Sequence, residues 1–360
     1  MTKKKVGIIA LIIIIISAVV MVFAYGIKNK QVVVSEDDKM KIVVTSFPQY
    51  DFARAVAGDK ANIQMLIKPG VETHSYEPTP DDIQKIQNAD LFIYTGGEND
   101  EWVEGILDSI DTSSLKTLKL EDCVDLIEED ETVGLEGVET HSHSHNHDHD
   151  DEHNHDHDNE EGHDHDHDED EHDGHNHSST DIEYDEHVWL SLKNAERFVN
   201  EISESLVSLD SANADAYSAN AKAYNTELEA LDKEYSEAVS SSTVKTLLFA
   251  DRFPFRYMVA DYGLSYYAAF DGCAADTNAS FETVTFLAKK VDELGLKHVL
   301  KIDGSDGKIA KTVVENTNDK NQDILELDSM QSVNDDEINS GTTYLSIMKS
   351  NLEVLKKALS

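Results

Sequence analysis

Apolar residues arrive along this chain in short β-branched runs separated by amphipathic stretches. The run at 42–45, "IVVT", predicts a buried strand, and in the "FPQYDFARAVAG" that follows Phe52, Val56 and Ala57 share one helical face. "ANIQMLIKPG" predicts a second strand ending in a turn, and "TPDDIQKIQNAD" a helix capped by Thr or Asp ahead of the apolar pair Ile83 and Ile86. "LFIYTGG" reads as a third strand that Gly96 and Gly97 stop. From 128 to about 181 periodicity lapses, and a disordered loop is expected there. Structure resumes with "HVWLSLKNAERFVNEISESLVSLD", and the stretch 213–239, without Gly or Pro, predicts one helix of about 27 residues and roughly 40 Å. The alternation then restarts. "TVKTLLFAD" is a strand, "FRYMVADYG" a helix closed by Gly263, "LSYYAAF" a strand, and "SFETVTFLAKKVDELG" a helix capped by Ser280. "KHVLKID" and "DILELDS" are further strands before a last helix, "TYLSIMKSNLEVLKKAL". Strands alternating with helices at this spacing form parallel sheets, so the expected fold is α/β: two lobes joined by a single long, rigid helix.

The beginning of the chain places the rest. Lys3, Lys4 and Lys5 precede an apolar run at 6–26, the arrangement of an export signal. That run approaches the roughly 20 residues that cross a bilayer, so 1–27 fits both a signal peptide cut near Ala24 and a retained membrane anchor. Lysines on the N-terminal side hold that end in the cytoplasm and put the remainder outside, at the outer face of the membrane. Residues 28–40 read as a tether, 41–210 as an N-terminal lobe carrying the 128–181 loop, 211–240 as the linker helix and 241–360 as a C-terminal lobe.

Charge narrows the partners. Asp and Glu number 72 against 30 Lys and Arg, a formal charge of -42, which repels nucleic acid and anionic membrane surfaces and makes cations the natural ligands. Cys123 and Cys273 are the two cysteines; an exported protein can pair them, but the sequence does not bring them together and no metal is assigned to them.

Two stretches carry chemistry. In "KPGVETHSYEPTPDDI" the Pro69-Gly70 pair ends a strand and Thr79-Pro80 starts a helix, so His74 lies on a loop at a strand's carboxyl end, the edge where open α/β sheets bind ligands. In "DEHVWLSLKNAERF" His187 precedes an apolar segment that must be buried beside Trp189, and an imidazole fixed by packing suits a zinc ion. Taken singly, the first is equally a surface-loop histidine and the second a core histidine bonded to backbone.

"ETHSYEPTP" followed by "HVWL" and the long helix "AYSANAKAYNTELEALDKEY" resembles the solute-binding proteins of ABC transporters for zinc and manganese, in order and spacing from about 41 to the end apart from the His-rich insert. The resemblance implies two Rossmann-like lobes with the metal in the cleft between them, His74 and His187 as ligands, and two more from the C-terminal lobe. A late Asp of that family matches Asp328 in "LELDSMQS", where a turn or capping aspartate is the competing reading. The other position departs from the family's His or Glu: a gapless match places Arg252 there, which cannot coordinate a cation, and a shift of one residue in "FADRFPFRY" presents Asp251 instead.

The insert adds His141, His143, His145, His147, His149, His153, His155, His157, His163, His165, His167, His172, His175 and His177, interleaved with acid. Its repetitive spacing defines no single selective site, and it reads as an accessory collector or sensor whose nitrogen donors favour zinc over manganese. The expected function is thus a monomeric, non-enzymatic, extracytoplasmic protein that captures Zn²⁺ and passes it to the permease of an ABC importer. A manganese-binding homologue, or a surface adhesin or metal-sequestering protein of the same fold, is the alternative. No HExxH pair or nucleophile elbow supports a zinc hydrolase.

Overall fold

A computed structural model describes residues 39–68, 76–97, 100–129, 184–270, 272 and 279–360. The N-terminal lobe contains β1 (Met40–Val44), α1 (Phe47–Ala57), β2 (Ala61–Met65), α2 (Pro80–Gln87), β3 (Leu91–Tyr94), α3 (Glu101–Ser109), β4 (Lys116–Lys119) and α4 (Leu192–Leu209). Next comes α5 (Ala214–Ser241). The C-terminal lobe contains β5 (Thr246–Phe249), α6 (Arg256–Tyr262), β6 (Ser265–Ala268), α7 (Phe281–Leu294), β7 (His298–Ile302), α8 (Lys308–Asn316), β8 (Asp323–Leu327), α9 (Asp335–Asn339) and α10 (Tyr344–Ala358).

Each lobe has a four-stranded parallel sheet, ordered β2-β1-β3-β4 in one and β6-β5-β7-β8 in the other. The two orders are equivalent. In both, the winding reverses beside the first strand, which opens a crevice at the carboxyl ends of the strands. The central strands are apolar runs because helices cover both faces of a parallel sheet, and every residue of β3 is buried.

The cap of α2 is a reciprocal box. Thr79 Oγ1 accepts from Asp82 N at 3.3 Å while Thr79 N donates to the Asp82 carboxylate at 3.0 Å, and Pro80 occupies the first turn. Thr79→Ala is expected to cost about 1 kcal/mol, read as a lower midpoint in urea unfolding with an unchanged slope.

The predicted strands and the long helix are present. Four elements that the hydrophobic pattern does not announce are present as well, among them the short α9. Strand β4, "KTLK", is a half-exposed edge strand whose lysines interrupt any apolar run. Helix α3 carries Gly105 in its middle and buries only Val103 and Ile106. Helix α8 buries only Ala310 and Val313.

Helix α5 is 28 residues long and buries Tyr217, Ala221, Leu228, Leu231, Tyr235 and Val239 along one face. It packs on α1 and α4 of the first lobe and on α10 of the second. Asn220 donates to the Val56 carbonyl at 2.9 Å, and the Tyr235 hydroxyl donates to the Met348 carbonyl at 2.7 Å. One apolar core, from Ile42 through Leu231 to Leu355, is therefore continuous across both lobes.

The apolar segment and tether at 1–38, and nearly all of the His-rich loop, lie outside the described residues. No described helix is long and apolar enough to cross a membrane. Glu128 and Tyr184, which flank the loop, form an isolated antiparallel bridge. Cys123 is a free thiol whose Sγ lies 3.4 Å from the Lys119 carbonyl, and burial pushes its pKa up to about 11. Cys273 lies outside the described residues.

Candidate metal centre

The carboxyl ends of the strands in both lobes carry acidic side chains. After β3 comes Asp100, and after β4 comes Glu121; after β5, β7 and β8 come Asp251, Asp303 and Asp328. Gly97, at φ 69°, lets the first group crowd: a Cβ there would lie 2.8 Å from oxygens of both Glu121 and Glu186. Burial raises the Asp100 pKa to about 7, against the donation of Thr95 N and Gly96 N to its carboxylate and with help from Glu186 and Glu121. Burial, with the Asp303 charge beside it, also pushes Asp328 up to about 7.

The sign of the resulting pH dependence follows. The unfolded chain releases these protons near pH 4 and the folded chain only near 7, so the unfolded state binds fewer protons in between and stability falls as pH rises through that window. Asp100→Asn is expected to flatten that fall between pH 5 and 8, measured as melting temperature against pH.

His187 sits where the lobes meet. It is completely buried at the start of the 3₁₀ turn Val188–Leu190, whose three residues are also buried, and its ring centroid lies 5.2 Å from that of Trp189. Its orientation has two anchors. Asp185 Oδ1 accepts from His187 N at 2.8 Å and lies 3.2 Å from His187 Nδ1, while the Gln331 amide lies 2.9 Å from His187 Nε2. A carboxylate only accepts, so Nδ1 carries the hydrogen. Burial opposes charge on the ring, but Asp185, with Glu186 and Glu129 behind it, outweighs burial and holds the imidazole above its ordinary pKa.

The C-terminal lobe buttresses this histidine. The Tyr257 hydroxyl, on α6, donates to the Asp185 carbonyl at 2.7 Å, and Trp189 Nε1 donates to the Ser329 carbonyl at 3.0 Å. The Tyr344 hydroxyl, on α10, donates to the Trp189 carbonyl at 2.7 Å. Gly272 comes so close that a Cβ there would lie 3.3 Å from His187 Cε1 and 3.3 Å from Asp185 Oδ2, which requires glycine or a shift of the neighbours.

The remaining sequence candidates are placed as follows. Asp251 is buried at the end of β5; its Oδ1 accepts from Arg252 N at 3.0 Å and its carbonyl from Ala269 N at 3.3 Å. Asp328 Oδ1 accepts from Met330 N at 2.7 Å, closing a turn, and Asp328 N donates to Asn351 Oδ1 at 2.9 Å. His74, like His141 through His177, lies outside the described residues. Among the described residues no three His, Cys, Asp or Glu side chains converge closely enough to hold an ion. The side chain from β8's loop that touches His187 is Gln331, three positions beyond Asp328.

Sequence reasoning did not single out Asp185, Gly272 or Gln331. Asp185 had a visible signal, an acid two residues before a candidate ligand. Gln331 and Gly272 had none, because only the folded chain brings them to His187.

Comparison with known proteins agrees with this architecture. Residues 42–358 match the family model described as the zinc-uptake complex component A, periplasmic (ZnuA). The zinc-binding lipoprotein AdcA of Streptococcus pneumoniae serotype 4 (strain ATCC BAA-334 / TIGR4) is 30% identical over 324 residues, covering 89% of this chain and 56% of that protein. The chain thus spans little more than half of that relative's length. The high-affinity zinc uptake system protein ZnuA of Bacillus subtilis (strain 168) is 28% identical over 325 residues, 90% of this chain and 89% of that protein. The crystal structure of the Zn(II)-bound ZnuA-like domain of S. pneumoniae AdcA superposes with a TM-score of 0.65 at 27% identity, covering 89% of this chain and 99% of that one. With two equivalent parallel sheets, a bridging helix and a buried histidine between the lobes, and with nearly the whole described fold inside the matched span, the chain belongs to the ZnuA family of zinc-uptake components.

Proposed function

We propose that this chain is an extracytoplasmic zinc-binding protein that takes up Zn²⁺ between its lobes and delivers it to the permease of an ABC importer, without performing catalysis. The observation that carries the reading is His187: a buried imidazole at the lobe interface, fixed through Nδ1 by Asp185, with Nε2 turned toward the C-terminal lobe. A carboxylate on the far nitrogen fixes the tautomer and raises the basicity of the near one, the arrangement of a zinc-ligating histidine. In this reading His74, which lies between β2 and α2 in the sequence, is the second imidazole, and Asp251 and Asp328 supply charge from the carboxyl ends of β5 and β8. Two imidazoles with carboxylates suit zinc, and the relatives named for zinc point the same way. The 141–177 tract acts as an accessory, a weak multivalent collector.

Calorimetric titration with zinc tests the assignment. Deleting 141–177 is expected to leave one tight site, and His74→Ala with His187→Ala to remove it; a tight site lost with the tract and retained in the double variant would overturn the reading. Asp185→Asn, which keeps the shape of the side chain, is expected to weaken tight binding by about 10- to 100-fold.

A further inference from the structure

We propose that Gln331 is a latch on the zinc ligand His187: its amide competes with the metal for the ring nitrogen lone pair, so that Gln331 sets the affinity and the rate of capture. The proposal rests on the zinc reading of the cleft given above.

Three observations lead to it. First, the tautomer is determined: Nδ1 faces a carboxylate oxygen at 3.2 Å and carries the hydrogen, so a neutral His187 presents a bare lone pair at Nε2. The Gln331 amide nitrogen lies 2.9 Å from that atom, and to a neutral ring it donates. A metal bound at Nε2 takes the same lone pair, and the two bonds exclude each other.

Second, Gln331 is held in position by its neighbours. Asp303, after β7, accepts from Ser329 N and Ser329 Oγ through Oδ1, both at 2.6 Å, and from Ser332 N through Oδ2 at 3.1 Å. Both residues flanking the Met330-Gln331 pair are thereby clamped to one carboxylate. Asp328 Oδ1 accepts from Met330 N at 2.7 Å and fixes the turn from the other side, with Met330 in the left-handed region at φ 67°. A strained non-glycine residue held by several hydrogen bonds marks a turn with a defined task.

Third, the latch crosses between the lobes. His187 and Trp189 come from the N-terminal lobe, Ser329 and Gln331 from the C-terminal one, and the Trp189 to Ser329 bond runs beside the His187 to Gln331 contact. The first of these bonds involves no candidate ligand and can persist when zinc enters. The Gln331 amide has to turn away, which is a side-chain rotation and requires no opening of the continuous core. Capture gated in this way loses one hydrogen bond per ion bound.

The test uses the full chain, with zinc affinity read by competition against a chromophoric chelator that outcompetes the His-rich tract, and association followed by stopped flow. Gln331→Ala, and Gln331→Leu as a variant that keeps the bulk, are expected to bind zinc about 2- to 12-fold more tightly, the worth of one neutral hydrogen bond, with faster association. In zinc-free protein the ¹⁵N resonance of His187 Nε2 is expected to move in both variants as it loses its donor. Weaker binding in both would make Gln331 a ligand through its amide oxygen and overturn the latch, and unchanged binding with an unmoved resonance would overturn it too. His187→Ala separates the two readings. If it abolishes tight binding while the Gln331 variants bind no more tightly, the latch alone fails; if it leaves tight binding intact, the zinc cleft fails and the latch with it.

Discussion

Replacing His187 by alanine is expected to weaken tight zinc binding by about 10²- to 10³-fold, equivalent to about 3–4 kcal/mol at 1.4 kcal/mol per decade. The size follows from what the side chain brings. It is completely buried, so its ordering is complete before the ion arrives, and Asp185 and Trp189 fix the ring. A ligand prepared in this way contributes most of its bond to affinity, because little conformational entropy remains to be lost. The substitution also leaves Asp185 as a buried carboxylate whose imidazole partner is gone, though Oδ1 still accepts from the backbone at 187 and the Tyr257 hydroxyl still holds its carbonyl. A folded but zinc-blind variant is therefore the expected outcome, checked by circular dichroism alongside calorimetry. His187→Asn, which restores a short polar side chain beside Asp185, is expected to fold as well and bind as poorly.

The second large effect is on stability. Tyr235→Ala is expected to cost about 3–5 kcal/mol, a large share of the about 5–15 kcal/mol that holds an ordinary domain folded. Tyr235 is completely buried in the middle of the interlobe helix α5, its ring stacks on Tyr262 at 5.2 Å, and its hydroxyl donates to the Met348 carbonyl of α10 at 2.7 Å. Truncation removes the aromatic volume, the stack and that bond together. Because the apolar core runs through both lobes, the variant is expected to unfold in one transition at lower urea concentration. Two separate transitions would show that the lobes are independent units.

The part of the fold that the sequence made legible is the part carried by apolar runs. β1, β3 and β5 each hold an apolar run buried on both sides, Ile42 to Val44, Leu91 to Tyr94 and Leu247 to Phe249, so they read as strands without any knowledge of their neighbours. The long helix announced itself through an unbroken run of helix-forming residues. What escaped was the periphery: β4, with lysine at each end, is half exposed and gains its strand geometry only from pairing with β3. Tertiary pairing, which local pattern does not encode, decided that element.

The candidate site divides in the same way. His187 was legible because the "HVWL" that contains it must be buried and because, together with the His74 stretch, it carries the family resemblance. Asp328 and Asp251 were singled out through the family resemblance, the second by a shift of one residue from Arg252, and the structure places both just after strands. Gln331 was silent, since a neutral amide in a loop carries no charge or periodicity, and its contact with His187 spans 144 positions. Asp303, whose two oxygens hold the 329–332 turn, was silent for a different reason: a strand-end aspartate looks alike whether it clamps a loop or binds an ion.

The central claim is that zinc is held between the lobes at His187, and diffraction from zinc-loaded crystals of the protein at the zinc absorption edge tests it most directly. The account predicts an anomalous peak at about 2.0–2.1 Å from His187 Nε2, with Asp185 still on Nδ1. A cleft without anomalous signal, with zinc bound only by histidines of the 141–177 tract, would contradict it.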